Sequence, residues 1–139
     1  MRLYLAGPMT GYPEFNFPAF EAAATDLRRM NYVVWSPHES DLEAAWKAEH
    51  AATYSPANGD PGGSGMESHR FFLAVDLQHV CTSDALAVLD GWQASLGARI
   101  ETYVAFQLDM PVHRYTPGEL LDESNRIGRY EHPDISRGS

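Results

Sequence analysis

The chain has 139 residues, 44% of them hydrophobic, which is enough for one domain with a core of its own and too few for two. The net charge is -9, and the few Lys and Arg form no cluster able to follow a phosphate backbone, so a nucleic-acid polymer is excluded as a partner. Cys81 is the single cysteine, which rules out an intrachain disulfide and fits a reducing, cytoplasmic setting; no stretch reads as a signal peptide or a membrane span.

Residues 3–6 form an apolar run stopped by Gly7 and Pro8, which predicts a buried central strand. Gly7, Pro8, Gly11 and Pro13 make the next stretch a loop. Asn16 stands where it can cap a helix, with Pro18 tolerated in the first turn. Phe17, Phe20, Ala24 and Leu27 recur at helical spacing, so this helix is expected to reach about Met30. Val33, Val34 and Trp35, ahead of Ser36 and Pro37, read as a second buried strand. Residues 41–50 read as a short polar-faced helix, and 52–65, rich in Ser, Pro, Asn, Asp and Gly, as a flexible loop.

A helix over 66–80, a strand over 85–89, a helix over 96–108 and a strand over 111–115 continue the alternation. From Pro117 the chain carries charge and few apolar residues, so a short helix around 119–124 and then a frayed end are expected. The chain thus divides into a domain over 1–122 and a tail over 123–139. The pattern predicts an α/β fold, a single-domain Rossmann-like or flavodoxin-like parallel sheet of four to five strands with helices on both faces.

Two carboxylates stand where the core should be. At 100° per residue, Gly97, Ala98, Val104, Ala105 and Leu108 fall within roughly 60° of Glu101, while Arg99, Thr102 and Gln107 lie off that stripe. Glu101 is therefore expected in the middle of a buried face. On the preceding helix Asp76 is flanked in the same way by Phe72, Leu73 and Val80, with Leu77 slightly further round. A buried carboxylate is strongly unfavourable unless it is paired, hydrogen-bonded, protonated or set in a cleft. The structural alternative for each acid is a rim position or a backbone donor. Ser95 and Gly97 add a plausible N-cap hydroxyl and a glycine that lets a ligand approach the first turn, whose free N–H groups make a cradle for phosphate or hydroxyl.

The run Tyr4-Leu5-Ala6-Gly7-Pro8-Met9-Thr10-Gly11, then Asp76-Leu77, then Ser95-Leu96-Gly97-Ala98-Arg99-Ile100-Glu101 resembles the nucleoside 2-deoxyribosyltransferase superfamily, and within it the short deoxyribosyltransferase-like proteins of phages and bacteria. The resemblance covers about residues 1–115. It implies that Glu101 is a nucleophile that attacks the anomeric carbon, that Asp76 assists near the sugar and base, and that Tyr4 hydrogen-bonds the nucleophile. It further implies that Gly7, Pro8, Met9, Thr10, Gly11, Ser95 and Gly97 line a substrate site, and that neither metal nor organic cofactor is needed. Such a retaining mechanism needs one carboxylate as nucleophile and a second group to manage protons.

Ser95 bears on the substrate. Transferases of free nucleosides carry aspartate six residues before the nucleophile, whereas the related nucleoside 5'-monophosphate N-glycosidases carry serine, since aspartate would repel phosphate. Ser95 thus implies a monophosphate and water as acceptor, although Pro8 and Thr10 stand where those hydrolases use serine and arginine. The resemblance also implies a homo-oligomer in which a residue of a neighbouring subunit, at about the distance of Asn125, closes the site.

His38, His50, His69, His79, His113 and His132 show no metal-binding spacing and read as surface or satisfied residues. Trp92 reads either as a base-stacking ring or as core, and Cys81 as a small buried hydrophobe. Two further readings of the chain stay open: a nucleotide-binding or sensing module without turnover, and a dinucleotide oxidoreductase, the latter disfavoured because Gly7-Pro8-Met9-Thr10-Gly11 is not G-x-G-x-x-G.

Overall fold

Along β1 (Arg2–Ala6), Leu3 and Leu5 face one side and Tyr4 and Ala6 the other, and this alternation decides which helix each face receives. The computed structural model describes residues 1–9, 11–39 and 65–132. Thr10, the helix expected over 41–50, nearly all of the loop expected over 52–65 and the Phe72 side chain lie outside the described residues. The other elements are α1 (Phe17–Arg29), β2 (Val33–Trp35), α2 (Gly65–Cys81), β3 (Ala85–Val88), α3 (Leu96–Gln107) and β4 (Val112–Arg114).

All strand pairs are parallel and the order is β2-β1-β3-β4, so among the described residues the sheet has four strands. Leu3, Leu5, Ala85, Ala87 and Leu89 pack against Phe20, Ala23, Ala24 and Leu27 of α1. On the other face Tyr4, Ala6, Leu86, Val88 and Val112 meet Val80 of α2 and Ala98, Ala105 and Phe106 of α3. The two central strands, β1 and β3, send the chain outward in opposite directions, which opens a crevice beyond their carboxyl ends.

Several expectations are corrected. Asn16 precedes α1 but does not cap it with its side chain. Glu14, Phe15 and Asn16 form a left-handed turn (φ 53°, 56° and 61°), an arrangement that costs on the order of 1 kcal/mol or more per residue. Burial of Phe15 and a 3.1 Å bond from Asn16 Nδ2 to the Pro8 carbonyl hold it. Cys81 is exposed, at the last turn of α2.

The end of the chain does not fray at 123. Asp122 caps a short 3-10 turn (Glu123–Asn125), Ile127 donates to the Val112 carbonyl and is buried, and His132 is fully buried. Residues 123–132 thus pack against edge strand β4 and helix α3.

Candidate active site

Tyr4 is the middle residue of β1 and points to the face that α2 and α3 cover. Its hydroxyl donates a 2.7 Å hydrogen bond to Glu101 Oε2, linking positions 97 residues apart. Asp76, from α2, interacts with both Glu101 and Tyr4, and its Oδ1 is buried without a hydrogen-bond partner. The three side chains expected at the catalytic centre thus converge, at exposures of 0% for Tyr4, 5% for Glu101 and 6% for Asp76. Burial disfavours the charged form of Asp76 and raises its pKa to about 7; the contacts with Glu101 and Tyr4 pull the other way without offsetting it. Two buried acids in contact thus form one site in which burial favours a retained proton, and the Tyr4 phenol donates to one of them.

Trp35, in register with Tyr4 on β2, stacks on the Tyr4 ring at 5.1 Å between centroids. His79, one turn beyond Asp76, stacks on Trp35 at 4.0 Å. Burial, and secondarily the nearby Arg2 charge, lowers the His79 pKa, which favours a neutral ring in that stack. Trp35 and His79 were not singled out from sequence; the signal available was a Trp at the end of a strand paired with β1 and a His at i+3 from the inward acid.

The loops at the strand ends shape the approach. A Cβ at Gly7 would come within 2.9 Å of Leu89 Cβ, so the ends of β1 and β3 are pressed together there. Pro8 is buried, Met9 partly buried and Gly11 exposed with φ +90°. Gly91 (φ +88°) lies under Tyr12 and Pro8, so the loop after β1 covers the turn after β3. Ser95 caps α3 by accepting from the Ala98 N–H at 3.3 Å, and a Cβ at Gly97 would meet nothing within 4 Å. Room for a ligand thus exists beside the first turn, where backbone N–H groups lack helical partners.

Not every expectation fits. Trp92 is 2% exposed and packs in the core beside His132, so its ring is not available to stack on a base. Thr102 is fully buried and donates to the Ala98 and Arg99 carbonyls, while Leu108 is 52% exposed. The buried stripe of α3 is therefore rotated toward Thr102. Asn125 is buried against edge strand β4, two strands from β1. Its Oδ1 meets His113 Nδ1 and accepts from the Asp122 N–H, and its Nδ2 donates to the Leu120 carbonyl. Among the described residues no three His, Cys, Asp or Glu side chains gather as metal ligands, and no helix is long and apolar enough to cross a membrane.

Residues 1–114 match the family described as Domain of unknown function (DUF4406). The chain belongs to that family. This DUF4406 chain is similar in structure to a 2-deoxyribosyltransferase from the psychrotolerant bacterium Bacillus psychrosaccharolyticus, with a TM-score of 0.53 and 22% identity over 88% of this chain and 77% of the other. At that identity the likeness establishes a shared fold. No curated protein matches the DUF4406 chain in sequence.

Proposed function

We propose that the chain cleaves the N-glycosidic bond of a 2'-deoxynucleoside 5'-monophosphate with Glu101 as nucleophile. The observation that carries this reading is Glu101 held by Tyr4 at 2.7 Å beside Asp76, an acid whose pKa of about 7 leaves it a proton to give. The fold shared with a 2-deoxyribosyltransferase supports the same class of chemistry.

In this scheme a Glu101 carboxylate oxygen bonds to the anomeric carbon as the C–N bond breaks. The bond's electron pair goes to the base, which takes the Asp76 proton. Water, losing a proton to Asp76, then opens the glycosyl ester and releases the sugar phosphate. Tyr4 orients the nucleophile, and its hydrogen bond is given up as charge leaves the carboxylate. Ser95 and the open flank of Gly97, at the start of α3, are the proposed place of the phosphate, with Gly7, Pro8, Met9 and Gly11 on the opposite wall. Serine at 95 puts no negative charge there.

A second reading, transfer of deoxyribose to another base, is favoured by the named activity of the structural neighbour. One assay decides both. Deoxynucleosides and their 5'-monophosphates, with and without an acceptor base, should give free base in a Glu101-dependent reaction, fastest with a monophosphate and without consumption of acceptor. Base release by Glu101→Ala at the wild-type rate, or none from any substrate, would overturn the proposal; consumption of the acceptor would favour transfer.

A further inference from the structure

We infer that His132 is a positioning residue for Glu101 and acts through the backbone of α3. The inference rests on Glu101 being the reacting carboxylate. The His132 ring is fully buried and packs against Trp92, Tyr103 and Phe106, with centroids at 5.8, 6.2 and 5.9 Å. Packing among three aromatic rings alone would be satisfied by phenylalanine. Histidine adds a polar contact, 2.8 Å from Nε2 to the Arg99 carbonyl. A carbonyl can only accept, so Nε2 carries the proton.

The Arg99 carbonyl also accepts from Thr102 Oγ1 at 3.0 Å, and Arg129 donates to the Phe106 carbonyl at 2.7 Å. The terminal segment therefore grips α3 at two carbonyls about two turns apart, and Glu101 lies between them. The outward side of that helix is otherwise thinly covered, with Leu96 48% and Tyr103 45% exposed. The sheet and α2 press on α3 from within, and the His132 contact sets its position from without. Displacement of a reacting group by about 1 Å is enough to cost on the order of 100-fold in rate. The 2.7 Å bond between Tyr4 and Glu101 leaves no slack for such a shift.

The test compares His132→Gln, whose side-chain amide can place an N–H near the Nε2 position, with His132→Phe, which keeps the ring packing and loses the donor. The full-length proteins, 13C-labelled at the carboxyl groups, are titrated by NMR, and base release is measured in parallel. Expected is an apparent pKa of the Asp76–Glu101 pair that shifts by about one unit or more in His132→Phe and returns toward wild type in His132→Gln. With it goes a fall of about 10-fold or more in kcat at nearly unchanged KM for the Phe variant only. If His132→Phe does not fold, His132→Met carries the same comparison. A pair that titrates as in wild type in the folded Phe or Met variant overturns the inference. Absence of base release from wild type itself would instead sink the proposed reaction and leave the titration to judge the positioning role.

Discussion

Tyr4 donates a hydrogen bond to Glu101, and Asp76 sets a second acid in contact with it. Tyr4→Phe keeps the stack on Trp35 and removes the 2.7 Å bond. It should lower base release about 10-fold to 100-fold and destabilise the fold by about 1–3 kcal/mol, the range for a buried acceptor that loses its donor; steady-state kinetics and urea unfolding read both, and an unchanged rate would remove Tyr4 from the mechanism. Asp76 makes a prediction with a definite sign. Its pKa is raised from 3.8 to about 7 in the folded protein, so between those values the native state holds more of this proton than the unfolded chain. Its contribution to stability therefore falls as pH rises through that window, and the loss is complete above about pH 7. Asp76→Asn should abolish that dependence and be the more stable protein at pH 8, by on the order of 2–4 kcal/mol, while losing most of its activity. Denaturant melts at pH 4, 6 and 8 decide this, and equal slopes for the two proteins would contradict it.

At the level of elements, two glycines separate packing from binding. Gly7 has no room for a side chain because Leu89 Cβ, which cannot rotate away, would stand 2.9 Å from the new atom. Gly7→Ala should cost about 1–3 kcal/mol by forcing β1 and β3 apart. Gly97 faces open space in the first turn of α3, so Gly97→Ala should leave stability unchanged or raise it by up to about 1 kcal/mol while raising KM, if substrate approaches there. Thermal melts and kinetics of the pair give the comparison, and an unaltered KM would move the substrate elsewhere. The same elements show what the sequence makes legible. Strand limits were readable to within a residue or so because Gly7, Pro8 and Pro37 stop the runs, and the inward acids because a charge on an apolar stripe is visible from periodicity alone. The phase of α3 was misjudged at Thr102, since a threonine can be buried by bonding its hydroxyl to the preceding turn. The Asn16 turn, and the stacking of Tyr4, Trp35 and His79, depend on groups brought together by the sheet and leave no local pattern.

For the molecule as a whole, the question is where the domain ends. Composition after Pro117 is polar, which reads as a loose tail, yet three widely spaced side chains and a few backbone bonds fix it to the body. Asn125 bonds His113 of β4, Ile127 is 2% exposed and bonds the Val112 carbonyl, and His132 lies among Trp92, Tyr103 and Phe106. A segment with so few apolar residues gives no periodic signal, because its order is carried by backbone groups at the sheet edge and by the two grips on α3. Ending the chain after Asp122 would strip all of these at once, bare the outer edge of β4 and let water reach the Trp92 indole. The expected loss is several kcal/mol, seen as a fall in Tm of about 10 °C or more, together with a red shift of the Trp emission as Trp92 is wetted. A tail that only decorated the domain would leave Tm within about 2 °C of the full chain and the emission unmoved; that result would return the boundary to residue 122 and remove the physical basis for a structural link between His132 and Glu101.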